Sequence, residues 1–187
     1  MRRLFPLVLA LAALLALAPT SALADPNNAS ATFDLEIEVP NVSEAPNGDQ
    51  VAVTGSGEFS VHPKSVTASG RFTHSDSDGN VLATGTWSAT ALRSFEFYGC
   101  GVLTFTDPDT VLPPNFCGGA LKLAVILTRD GTTLALPGTL TIFCIIGPQT
   151  PATHEDPSGE GITLVVDGVI NFNKIVSGMN VYTETTT

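Results

Sequence analysis

Residues 66–89 read VTASGRFTHSDSDGNVLATGTWSA, and folding this stretch back about Asp78-Gly79 sets Phe72 opposite Gly85 and Trp87 opposite Gly70. An Asp-Gly pair accepts the positive φ that a two-residue hairpin turn demands. An aromatic ring across from a glycine fills the space its missing side chain leaves. Val66, Ala68, Gly70, Phe72 and His74 then share one buried face with Val81, Ala83, Gly85, Trp87 and Ala89.

The same period runs outward in both directions. Upstream, Phe33, Leu35, Ile37 and Val39 alternate with Asp34, Glu36 and Glu38, the mark of a strand with one buried and one wet face. Pro40 to Gly48 reads as a loop. Val51, Val53, Gly55, Gly57, Phe59 and Val61 form the next apolar face, and a turn at Pro63-Lys64 would set Phe59 against Ala68 and Gly55 against Phe72. Downstream, a strand from Arg93 to Thr106 leads to a proline-bearing loop, 107–115. Residues 118–129 then pivot at Asp130-Gly131, pairing Leu121 with Leu140 and Leu123 with Gly138. After a polar loop, 147–159, come Ile162 to Val166, a third Asp-Gly at 167–168, and a last strand from Met179 to Thr185. No segment has helical periodicity. This pattern predicts an all-β fold, an antiparallel up-and-down β-barrel of about 8–9 strands, with a two-sheet β-sandwich as the alternative. Inward glycines at 55, 57, 70 and 85 favour the barrel, because sharp coiling needs backbone without Cβ.

The first 24 residues read as a signal peptide: Arg2 and Arg3, an apolar run from Leu4 to Ala18, and cleavage near Ala24 after Ala22-Leu23-Ala24. Residues 25–31 form a leader, and 32–187 a single domain. The full chain has 8 basic and 18 acidic side chains; losing Arg2 and Arg3 leaves 6 against 18, a net charge of −12. That excess disfavours nucleic acid or anionic lipid as a partner. No later run is long enough for a spanning helix, so no membrane insertion is expected. The predicted location is secreted, periplasmic or extracellular.

Three cysteines in an exported chain predict one disulfide and one leftover thiol. Cys100 and Cys117 bracket the proline-bearing loop and are the favoured pair. The Asp130-Gly131 register offers Cys117 with Cys144 as a rival. His74 stands at a strand end on the inward face, where an imidazole serves as an acid, a base or a polar handle for a ligand. His154, Glu155 and Asp156 are too close in sequence to converge on a metal, and no spaced ligand set accompanies them. Asp76, Asp78 and Asn80 alternate as in a calcium loop but lack its bidentate glutamate. Asn28-Ala29-Ser30 and Asn41-Val42-Ser43 match the N-glycosylation pattern. No phosphate loop, dinucleotide fingerprint or nucleophile elbow occurs, so no cofactor or metal is expected.

Three functional readings follow. The first is a secreted, non-catalytic module that presents loops 107–115 and 147–159 to a protein partner. The second is a carrier of a small apolar molecule, with Phe59, Phe72, His74 and Trp87 lining the interior. The third is an isomerase-like or cyclase-like enzyme using His74, a comparison that rests on fold analogy. The sequence ranks them in that order.

Overall fold

The computed structural model describes residues 31–152 and 159–185, and these are all-β with no α-helix. Residues 1–30, with the predicted signal peptide and most of the leader, lie outside that range. Twelve strands follow in chain order: β1 (Thr32–Glu44), β2 (Gln50–Ser60), β3 (Ser65–Ser75), β4 (Val81–Cys100), β5 (Val102–Leu103), β6 (Thr110–Val111), β7 (Phe116–Arg129), β8 (Ala135–Cys144), β9 (Gly161–Val166), β10 (Ile170–Phe172), β11 (Lys174–Ser177) and β12 (Asn180–Glu184). Eight or nine were expected from the sequence. The surplus comes from short strands that carry too few residues to show a period.

Ten of the strands form one antiparallel sheet in the order β10-β9-β8-β7-β12-β1-β2-β3-β4, with β11 on β1, and β4 pairs back onto β7. The path β7-β12-β1-β2-β3-β4-β7 is therefore a closed hydrogen-bonded circuit. β5 and β6 form a separate hairpin. The inward faces meet in one buried cluster that includes Leu35, Val53, Trp87, Leu123, Ile142 and Leu164. At one end, Phe33 stacks on Phe59 at 5.1 Å, and Phe95 meets both Phe59 and Tyr182 edge-on at 4.9 and 5.4 Å.

The decisive hairpin has the expected register: Phe72 pairs with Gly85, Trp87 with Gly70 and His74 with Ala83. Its turn is wider than expected. Asp76 and Asn80 pair through their backbones and leave Ser77, Asp78 and Gly79 as the loop. Gly79 takes a φ of +85°, and the Asp76 carboxylate accepts the N–H groups of Asp78 and Asn80 at 3.0 and 2.8 Å. Turn chemistry thus occupies the acids that superficially resemble a calcium loop. An extra residue on β4, Leu82, restores the register beyond the turn. Trp87 lies across two glycines, where a Cβ at Gly55 or Gly70 would run into its indole. Its Nε1 donates to the Thr54 carbonyl at 2.9 Å.

Two other hairpins are displaced by two residues from their expected registers. Val61 to Lys64 make a four-residue turn, so Phe59 faces Val66 and Gly57 faces Ala68. Likewise Leu121 faces Ile142 and Leu123 faces Leu140. Cys144 consequently lies opposite Gly119, which removes the rival disulfide. The period along a strand is two, so both shifts leave the buried faces intact. The expected loop at 40–48 is also shorter. β1 continues to Glu44 across an irregularity between Ile37 and Asn41. β4 likewise runs unbroken to Cys100, with irregularities near Ala89, Leu92 and Phe97. These bulges move the inward parity from Trp87 to Leu92 and then to Phe95 and Phe97. Cys100 and Cys117 face each other across β4 and β7 at an S–S distance of 1.99 Å.

Trp87 is 2% exposed, and Trp87→Ala is expected to cost about 3–5 kcal/mol by urea denaturation; an unchanged midpoint would place the ring outside the core. Reducing the disulfide releases a 17-residue separation, and the loss of that closure should lower stability by about 3 kcal/mol. The comparison is of melts with and without dithiothreitol, and coincident curves would deny the crosslink any role.

Candidate functional site

A cavity of about 250 Å³ opens where β3 hands over to β4. Val51, Phe72 and Ala83 form one wall. Leu127, Arg129, Leu134 and Leu136 from the β7–β8 hairpin form a second, and the β9–β10 hairpin closes the third with Val166, Ile170 and Phe172. Below it, Val53, Phe72, Trp87, Val125 and Leu140 leave no space for a water molecule. The cavity is thus a cup over a packed interior and not a channel through it.

Two of the lining side chains are polar, His74 and Arg129. His74 Nε2 lies 3.0 Å from Asp49 Oδ2, with both side chains largely buried. A carboxylate only accepts, so the pair places the proton on Nε2 and leaves Nδ1 as the remaining polar atom of the ring. The imidazole also stands edge-on to Phe172 at 5.3 Å. Asp49 is presented by the β1–β2 turn. There Gly48 has a φ of +87°, and Asn47 Oδ1 accepts the Asp49 N–H at 3.2 Å. Arg129 Nη2 donates to the Leu82 carbonyl at 3.2 Å, anchoring the guanidinium at the rim. Leu134 and Val169, also on the rim, are 51% and 63% exposed.

Of the expected ligand-lining residues, Phe72 and His74 are in this cup. Trp87 is part of the packed floor beneath it. Phe59 lies in the aromatic cluster with Phe33, Phe95 and Tyr182, away from the cup. Asp49, Arg129 and the β9–β10 residues carried no signal in the sequence, since nothing local ties them to His74. His154, Glu155 and Asp156 lie outside the described residues, as does part of loop 147–159. Asn41 is fully buried, which removes the second glycosylation match; Asn28 is outside the described residues. Among the described residues, one Cys/Asp/Glu grouping is tight enough for a metal, Cys100, Cys117 and Glu184, and its thiols are the disulfide pair.

A second cavity, about 370 Å³, lies at the opposite end of β7 and β8, under the β5–β6 hairpin. Leu103, Phe105, Leu112, Phe116, Ile145 and Ile146 line it, together with the carboxylates of Glu38 and Glu160. Glu160 Oε1 accepts the Asn180 N–H at 2.7 Å. Behind it, Asn180 Nδ2 donates to the Phe143 carbonyl at 2.9 Å, and Asn41 donates to Asn180 Oδ1. The free Cys144 is buried, with Sγ 3.1 Å from the Asn180 carbonyl oxygen. Burial pushes its thiol up, which keeps it protonated and unreactive. Burial likewise raises Glu160 to about 7; the Asn180 N–H opposes the shift and the Glu38 charge adds to it.

No protein-family model, curated protein or solved structure matches this chain. Among the described residues no helix is long and apolar enough to cross a membrane.

The folded state binds the Glu160 proton more tightly than the unfolded chain, whose value is 4.5. Its contribution to stability is full below that pH and is lost as pH rises through about 7. The melting temperature should therefore fall across this window in the native protein and fall less in Glu160→Gln. Parallel pH profiles for the two proteins would remove the assignment.

Proposed function

We propose that the closed strand circuit is a β-barrel and that the protein is an exported binding module, which holds a small apolar molecule in the cup beside His74, with the acceptor head of that molecule directed at Arg129. The closed circuit and the single interior cluster support the barrel, since each strand of the circuit is paired on both sides, with β8, β9 and β10 as an arm branching from β7. A crosslink between Cys100 and Cys117 suits an oxidising compartment, in keeping with export. The observation that carries the binding reading is the cup itself: apolar walls around two polar groups in its lining, one of them oriented by the partly buried Asp49 carboxylate. Its volume is near the lower end of the ~300–1,000 Å³ typical of ligand sites, which suits a short acyl or aromatic compound better than a long lipid.

This reading stands ahead of the loop-presenting module, because the cup offers a defined recognition chemistry. It also stands ahead of the enzyme. An Asp-oriented histidine is the arrangement of a general base, but among the described residues the cup lining pairs it with Arg129 and supplies no further acid or nucleophile. The same His–Asp pair equally serves to fix the imidazole for binding.

Hexanoate, with an apolar tail and an acceptor head, is a suitable probe. It should shift the methyl resonances of Leu136, Leu164 and Ile170. Ala83→Leu, which fills the cup, and Arg129→Gln, which removes the rim cation, should each weaken it about ten-fold. Hexanoate that leaves those methyls unmoved, or that binds both variants like the native protein, would remove this reading.

A further inference from the structure

We propose that the cavity under the β5–β6 hairpin is a separate binding site for a small organic cation, an alkylammonium with a short apolar body. The walls and the charges of the cavity point to the two halves of such a ligand. Leu103, Leu112, Ile145 and Ile146 provide an apolar surface for a short chain, and Phe105 and Phe116 add aromatic rings, which attract cations through their quadrupoles. The charged side chains in the lining are Glu38 and Glu160, and none of the lining residues is basic. Among the described residues the lining thus offers two carboxylates, Glu160 partly buried and Glu38 exposed, and no counter-charge. Glu160 Oε1 is held by the Asn180 N–H, which fixes the carboxylate at the cavity.

Other ligand classes fit less well. Calcium takes about 6–8 oxygens, and a lining of leucine, isoleucine and phenylalanine beside two carboxylates does not supply them. A neutral apolar guest would fill the space but leave the Glu160 carboxylate facing hydrocarbon, at a desolvation cost. An ammonium group neutralises both carboxylates and donates to that of Glu160, while the alkyl chain covers the apolar wall. The opposite end of the molecule carries a cation, Arg129, in the lining of the first cavity, so the two sites select different guests.

The carboxylate that serves this site is itself titratable, so binding is linked to pH. Burial acts on it first, then the Asn180 N–H from β12 and the Glu38 charge from β1, and Glu160 in turn acts on Cys144 of β8 and Tyr182 of β12. Burial keeps the Cys144 thiol and the Tyr182 phenol neutral. Glu160 therefore changes charge across the neutral range while these two neighbours do not.

The test titrates the intact protein with hexylammonium and, in parallel, with hexanol, following the methyl resonances of Ile145, Ile146 and Val181. Hexylammonium should bind about ten-fold tighter than hexanol at pH 8, and about ten-fold tighter at pH 8 than at pH 5. Glu160→Gln, which retains an acceptor for the Asn180 N–H, should remove both differences. Glu38→Gln, at an exposed position, should weaken hexylammonium and leave the fold intact, so the proposal can fail even if the Glu160 variant does not fold. Equal affinity for hexanol, an unchanged Glu38→Gln titration, or shifts confined to Leu136, Leu164 and Ile170 at the other cavity would each overturn it.

Discussion

The seat of Trp87 over Gly55 and Gly70 is the contact on which the rest of the structure depends. Gly55 pairs with Gly70 and Gly70 with Trp87, so one indole spans three adjacent strands. That row needs glycine twice, because a Cβ at either position meets the ring. The indole N–H could not be buried without a partner, and the Thr54 carbonyl supplies one. On its other side Trp87 pairs with Leu127 of β7. This links the first half of the chain, β1 to β4, to the second half. The strand circuit closes through that contact.

What the sequence disclosed follows from the difference between faces and registers. Alternation fixes which side chains point inward, and a glycine opposite an aromatic fixes one pairing; both are local, and both were readable at Phe72, Gly85 and Trp87. Turn length is less constrained. At Pro63-Lys64 and at Asp130-Gly131 the loops take four residues instead of two, and the pairings slide by two. Hydrophobic patterning cannot detect such a slide, since each inward residue still meets another. Bulges are equally silent: the passage of β4 from Trp87 through Leu92 to Phe95 breaks the period without any proline or charge to announce it.

Legibility of the site divides along the same line. Phe72 and His74 were visible because they share a strand with the decisive hairpin. Asp49 reaches His74 only through the β1–β2 turn, and Arg129 and the β9–β10 hairpin arrive from distant parts of the chain. Glu160 gave no signal at all, since its environment is assembled from β1, β12 and the residues flanking β8. Long-range convergence of this kind has no sequence period, and it is where most of the chemistry of this molecule resides.

The interior also explains why the two cavities are terminal and separate. Below the first, Phe72, Trp87 and Leu140 close the space to water, and farther on Phe33, Phe59, Phe95 and Tyr182 pack ring against ring. Aromatic side chains over small residues fill the sheet solidly through its middle, so no ligand can pass from end to end. Open volume is left only where the strands finish and hairpins take over. At those ends the lining is set by whatever the connecting segments contribute, Arg129 and His74 at one and Glu38 and Glu160 at the other. A densely packed centre therefore separates two cavities with different charged linings, and each can change its chemistry through its own hairpins without disturbing the indole that holds the strands together.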